Sequence, residues 1–196
     1  MKIITRCTRP EKLFKIYDSL PSNPSWVVLF DTSKLKNIDT SILSFLEEKN
    51  VEYYFWEGVV GDYGHGLINR YIKNNINHYY YILDDDTVMH PNLKILIEAG
   101  EFNFKCSKQP IIIGNQYIGG KDFTGLEIRE GKPENMKVQH VDMGQFIIWG
   151  KIWNKVGGLQ FMEYKADGYL IEKLYKEYPN KFRFLNAIIS YYNYGN

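Results

Sequence analysis

Four short runs rich in β-branched and aromatic residues, KIITRC, WVVLFD, VEYYFWE and YYYILDD, recur within the first 86 residues, and segments of helical spacing alternate with them. After the first run, RPEKLFKIYDSLPS places Leu13, Ile16, Tyr17 and Leu20 at helical intervals, with Pro10 near the start where a helix tolerates it. TSILSFLEEKN reads as a helix capped by Thr40, with Ile42, Leu43, Phe45 and Leu46 on one side. GLINRYIKNNI carries Ile68, Ile72 and Ile76 four apart, and PNLKILIEAG starts a helix at Pro91. Strand and helix alternating over short connections build a mainly parallel sheet with helices on its faces.

The second half is less regular. PIIIGNQYIGG is strand-like and ends in a glycine pair, and residues 120–137 are polar and read as a hairpin or mobile loop. VQHVDMGQFIIWG reads as another strand region, KADGYLIEKLYKEYP as an amphipathic helix, and FRFLNAIISYY as a closing strand. No repeat or inter-domain linker interrupts the chain. Its 196 residues are long enough to bury a substantial core, so a single α/β domain is expected.

Charge excludes some partners. The net charge is +1, which gives no electrostatic bias toward nucleic acid or membrane. No window has the apolar length of a membrane span, and MKIITRCTRPEK lacks the apolar stretch of a signal peptide. Cys7 and Cys106 allow one bridge but no disulfide framework, so a reducing compartment is the simpler reading. A soluble, cytoplasmic protein is expected, either free or as a domain of a longer or virus-encoded enzyme.

The run YYYILDDDTVMHP ends a strand in three consecutive carboxylates. Like charges so placed are costly unless something positive stands near them. In an open α/β sheet, ligands bind beyond the carboxyl ends of the strands. Asp84, Asp85 and Asp86 therefore suit a hard divalent cation, with magnesium or manganese bridging carboxylates to a substrate's phosphates. The competing reading is of solvated loop acids, one of them capping the helix at Pro91. An EF-hand loop is excluded, since DDDTVMHPNLKI lacks the glycine at the sixth position and the glutamate at the twelfth.

LDDDTVMHP, at the end of the fourth strand, resembles the Asp–X–Asp motif of nucleotide-sugar glycosyltransferases with the GT-A fold, small bacterial and viral members included. The triple aspartate is similar to that of the beta-glucuronyltransferases, and IITRCTRPEKL resembles their first strand and turn. The resemblance implies a Rossmann-like, mostly parallel sheet with helices on both faces and a smaller, irregular or antiparallel acceptor-side region. Residues 1–100 would be the nucleotide-sugar half and residues 101–196 the acceptor half. It implies Asp86 as the most direct ligand of Mn2+ or Mg2+. Asp84 would join it at the metal or lie nearer the ribose or base, and Asp85 would contribute to either. Thr5, Arg6 and Arg9, at the end of the first strand, would contact the nucleotide, and Asp31, ending the second, the base or ribose. A surface ion pair is the alternative for the arginines, and a turn acid for Asp31. GDYGHGLINRY falls where such enzymes carry a Gly-rich turn and a nucleotide-touching helix. His65 would contact the diphosphate and Arg70 the nucleotide, although the order Asn69–Arg70 departs from the Arg–Asn of the family. VDMGQFIIWGKIWNKVGG and KADGYLIEKL look like the acceptor-side strand, a turn at Gly157 and Gly158, and the helix bearing the catalytic base.

Glycosyl transfer with inversion needs a base for the acceptor hydroxyl. Asp167 opens an amphipathic helix and is the first candidate, though Ala166 replaces the acid that often precedes it in the family. Its alternative is a helix cap, and one residue can be both. Asp142, a charged residue in an apolar strand, is the second candidate, as base or as a ligand of sugar hydroxyls. His140 is a weaker candidate for a metal or phosphate contact. Retention is left open by the sequence. The expected activity is metal-dependent transfer of a sugar from a nucleotide-diphosphate sugar, a UDP-hexose favoured, to a hydroxyl acceptor such as a glycan. The rivals are a sugar nucleotidyltransferase, against which TRCTRPEKL lacks the triphosphate-wrapping glycines, and a non-catalytic sugar-binding domain.

Overall fold

The structure is a computed structural model that describes all residues except 36, 60–61, 103–109, 120–126, 161–164 and 194–196. Cys106 lies outside the described residues, as does the second glycine of the pair that ends PIIIGNQYIGG.

The first half alternates as its apolar pattern requires. β1 (Lys2–Cys7), α1 (Leu13–Ser19), β2 (Trp26–Asp31), α2 (Thr40–Glu48), β3 (Glu52–Trp56), α3 (His65–Asn74) and β4 (Tyr79–Ile82) follow in order. β5 (Val88–Met89) and α4 (Pro91–Glu98) come next. Then come β6 (Ile111–Ile118), β7 (Glu127–Arg129), β8 (Phe146–Trp149), α5 (Gly150–Val156), α6 (Ala166–Glu177) and β9 (Phe182–Tyr192).

The sheet runs β3-β2-β1-β4-β8-β6-β9-β5, with β7 beside β6. The pairs β3–β2, β2–β1 and β1–β4 are parallel, whereas β8 runs antiparallel to both β4 and β6. β9 is parallel to β6 through a register shift near Asn115. The chain leaves β1 outward through β2 and β3, then returns across the sheet to place β4 on β1's other side. This reversal opens a crevice beyond the carboxyl ends of β1 and β4.

The two faces bury different helices. Leu13, Ile16, Ile42, Leu46 and Leu93 of α1, α2 and α4 pack with Ile3, Val28, Phe30 and Tyr81. On the other face, Leu67, Ile68, Trp153, Leu170, Ile171 and Leu174 of α3, α5 and α6 pack with Ile4, Val27, Leu29 and Ile82. Reversal of the chain direction at β4 puts its crossover helix, α3, opposite α1 and α2, as right-handed crossovers demand.

Some expectations are corrected. Thr40 does not cap α2; Asp39 does, its carboxylate accepting the Ser41 N–H at 2.8 Å. No aspartate of the triplet caps α4, because His90 Nδ1 accepts the Asn92 N–H at 3.0 Å. The strand expected over VQHVDMGQFIIWG is confined to Phe146–Trp149, and its amino-terminal part is a 3-10 turn over Met143–Gln145. The apolar run had concealed that turn and the short helix α5 behind it.

Candidate active site

β4 ends at Ile82, and Leu83 still donates its N–H to Ile4 of β1 at 2.9 Å. A turn then closes from Thr87 N–H to Asp84 C=O at 2.9 Å. The turn separates the three aspartates. Asp84 and Asp86 line a cleft of about 270 Å³ together with Arg6, Tyr63, His65, Arg129, Asp142, Lys165, Asp167 and Tyr192.

Asp85 points elsewhere. Its side chain is 0% exposed and accepts from Thr8 N, Thr8 Oγ1, Arg9 N and Arg9 Nε at 2.6, 2.8, 2.8 and 2.9 Å. A further contact comes from the Arg9 guanidinium. Burial works to raise this carboxyl, but the Arg9 and Thr8 bonds together outweigh it and hold it below its usual range. Asp85 thus pins the β1–α1 turn and leaves no oxygen for metal or nucleotide, which corrects its expected role.

Arg9 spans Asp85 and Asp86, standing 2.9 Å from the latter. Arg6 lies 3.3 Å from Asp84. Gly64 gives Arg6 its path, since a Cβ there would sit 2.1 Å from the Arg6 Cδ, and φ of +78° suits glycine. The buried Arg6 Nε has no hydrogen-bond partner among the described residues. Charge on Asp84 raises the Arg6 guanidinium above its ordinary value, against the opposing effect of burial. Asp84 itself is pushed up to about 6, first by burial and then by Asp142, Asp86 and Asp85, with partial relief from Arg6.

Asp142 and Asp167 complete the acidic side. Asp142 caps the 3-10 turn, its carboxylate accepting from Gly144 N and Gln116 Nε2, both at 2.9 Å, and lying 3.5 Å from Arg129 Nη1. Asp167 lies in the first turn of α6 and accepts the Gly168 N–H at 2.7 Å. Burial first, then the charges of Asp142 and Asp84, push its carboxyl up to about 8, against Gly168 and Arg129. Displaced carboxyl groups clustered in a cleft mark a candidate functional site.

Other candidates lie outside the cleft. Thr5 is buried, and its hydroxyl accepts from Trp26 Nε1 at 3.0 Å within the layer beneath the sheet, so its side chain is not available to a nucleotide. Asp31 is buried as a turn acid, accepting from Ser33 N at 3.1 Å, Ser33 Oγ at 2.5 Å and Gly58 N at 3.2 Å. Arg70 is exposed, with its guanidinium 4.4 Å from the Trp56 ring centroid. Its neighbour Asn69 bonds Leu159 N and O at 3.0 and 2.8 Å and so clamps the chain after α5. His140 is exposed and does not line the cleft, whereas His65 does. Arg129, Lys165, Tyr63 and Tyr192 line it without having been singled out in the sequence. A polar Gln116 inside IIIGNQYI was the one local signal for the network behind Asp142.

No protein-family model and no curated protein sequence matches the chain. Solved structures do match in fold. S. aureus TarS 1-349 in complex with UDP aligns with a TM-score of 0.64 and 16% identity, over 97% of this chain and 59% of that one. The mannosyltransferase PcManGT from Pyrobaculum calidifontis, in complex with GDP-Man and Mn2+, aligns at 0.57 and 10% identity, over 95% and 54%. A cytidylyltransferase from Leptospira borgpetersenii aligns at 0.52 and 12% identity, over 95% and 74%. The fold is therefore that of the GT-A-type glycosyltransferases. The chain spans less than two thirds of the TarS and PcManGT chains.

Proposed function

We propose that the cleft transfers a sugar from a nucleotide-diphosphate sugar, a UDP-hexose favoured, to a hydroxyl of a glycan or similar acceptor, with a divalent cation. One observation carries the reading. Asp84 and Asp86 stand beyond the carboxyl ends of β1 and β4, in the same cleft as a carboxyl that keeps its proton to about pH 8. The complexes of TarS with UDP and of PcManGT with GDP-Man and Mn2+ support it by analogy of fold. Residues 1–100 would serve the donor and residues 101–196 the acceptor.

The donor set fits Mn2+ or Mg2+. Asp84 and Asp86 offer hard carboxylate oxygens, and the rise at Asp84, caused first by burial and then by the acids around it, would be relieved by a cation. Among the described residues no three His, Cys, Asp or Glu side chains form a ready-made cage. Two carboxylates with phosphate oxygens and water completing the shell are the habitual arrangement for magnesium. When bound, the ion would neutralise charge developing on the departing diphosphate. Arg6, which lines the cleft, would orient the diphosphate. Asp167 would take the proton of the acceptor hydroxyl in an inverting transfer. Its late loss of a proton makes the ionised form a stronger base than an ordinary aspartate. Asp142 would accept a hydrogen bond from a substrate hydroxyl.

Thermal stability with UDP tests the metal part. A ligand at a hundredfold excess over Kd adds about 2.7 kcal/mol. UDP with manganese should stabilise the chain more than UDP with chelator, and Asp86→Ala should abolish the difference. Equal stabilisation in chelator would remove the metal from the proposal.

A further inference from the structure

Gln116 and Arg129 face each other directly across the antiparallel β6–β7 pair. Gln116 is 0% exposed, and every polar atom of its side chain is engaged. Its Oε1 accepts from Arg129 Nη1 at 2.8 Å, and its Nε2 donates to Asp142 Oδ1 at 2.9 Å and Ser190 Oγ at 3.1 Å. Arg129 Nη1 also stands 3.5 Å from Asp142 Oδ2, so the two residues hold the carboxylate by both oxygens.

The backbone completes the clamp. Gly144 N–H donates to the same Oδ1, and the Asp142 N–H donates to Gln145 Oε1 at 2.9 Å. Gln145 Nε2 in turn donates to Arg129 C=O at 3.0 Å, closing a ring between the 3-10 turn and the hairpin. A Cβ at Gly144 would stand 2.8 Å from Gln116 Nε2, so any larger residue there would push that amide from its place. Among the described residues Asp167, by contrast, has one hydrogen bond, from the N–H of its own neighbour Gly168.

We propose that Gln116 and Arg129 are positioning residues that lock the Asp142 carboxylate in one orientation and so divide the work of two acids. Asp142 becomes the fixed acceptor for a substrate hydroxyl, and Asp167 the group that carries the proton. The division rests on the proposed transfer reaction; the locking does not. Among the described residues the charged groups facing Asp167 are Asp142 before β8, Arg129 on β7, Asp84 after β4 and Lys165 beside it, with Arg6, Asp86 and His65 across the cleft. Of these, Asp142 raises Asp167 and Arg129 lowers it.

The test uses the full chain with 13Cγ-labelled aspartate, without donor or metal, following the Asp167 signal from pH 5 to 10. Arg129 lowers Asp167 and Asp142 raises it, so losing either charge moves the midpoint in a known direction. Arg129→Gln should move the Asp167 midpoint up by more than a few tenths of a unit, Arg129→Lys should restore part of it, and Asp142→Asn should move it down. Gln116→Met should act in the same direction as Arg129→Gln; Arg129→Gln, at a half-buried position, keeps the test open if the Gln116 variant fails to fold. A role confined to folding would lower the melting temperature and leave the midpoint in place. An Asp167 midpoint within a few tenths of wild type in folded Arg129→Gln overturns the proposal. Failure of glycosyl transfer with these shifts present would leave the locking standing and remove only the division of work.

Discussion

Asp85 accepts the Arg9 backbone N–H at 2.8 Å and the Arg9 Nε–H at 2.9 Å, so the middle acid of the triplet is spent on the chain's own first turn. The neighbours on either side open into the cleft instead. The triplet thus divides in direction: its centre is bonded to the first turn, and its ends face the cleft.

That separation predicts opposite phenotypes. Removing one partner of a buried ion pair costs about 3–5 kcal/mol. Asp85→Ala should lose stability on that scale in urea unfolding, because Thr8 and Arg9 lose their acceptor. Asp86→Ala should unfold close to wild type and lose metal-dependent UDP binding. Comparable stability of the two variants would contradict the assignment.

Thr5 separates core from pocket in the same way. Its hydroxyl is the acceptor for Trp26 Nε1 in a fully buried setting. Thr5→Val keeps the shape and strands that donor, at a cost of about 1–3 kcal/mol. Calorimetric titration should find UDP affinity unchanged. A large loss of affinity without loss of stability would return Thr5 to the nucleotide site.

Asp167 gives stability a pH dependence of definite sign. The folded chain holds its proton to about pH 8, whereas an unfolded aspartate releases it near about 3.9. Between these values the folded state binds more protons, so stability falls as pH rises. The contribution is fully present below the unfolded value and gone above about pH 8. Asp84 acts with the same sign but only to about 6. Melting scans from about pH 7 to 9 therefore separate Asp167 from Asp84, and Asp167→Asn should show a flatter decline than wild type. The same substitution should lower transfer by about 10²-fold or more, the scale of general-base loss. Parallel melting curves would show that Asp167 is not the group holding the late proton.

The fold was legible where the signals were local. WVVLFD and YYYILDD are continuous apolar runs that only buried strands explain, and the isoleucines of α3 fall on one helical face. The candidate cleft was legible in part: consecutive acids after a buried strand pointed to it, and Asp167 and Asp142 both line it. Which aspartate turns inward depends on one tight turn, and that could not be read from Asp84–Asp86 themselves. Arg129 was missed because its place is set by pairing with Gln116 across β6–β7, a relation of register rather than of spacing. Thr5 lies inside β1 and Asp31 at the end of β2, and packing against Trp26 and the Ser33 turn claims their polar atoms.

Donor turnover tests the central claim most directly. The protein is incubated without acceptor in manganese, with UDP-, GDP- and TDP-sugars in turn, and release of nucleoside diphosphate is followed. The account predicts slow hydrolysis of at least one donor, UDP-sugars first, abolished by chelator and by Asp86→Ala. Release of pyrophosphate from a nucleoside triphosphate and a sugar phosphate, with every nucleotide sugar left intact, would contradict it and make the chain a nucleotidyltransferase.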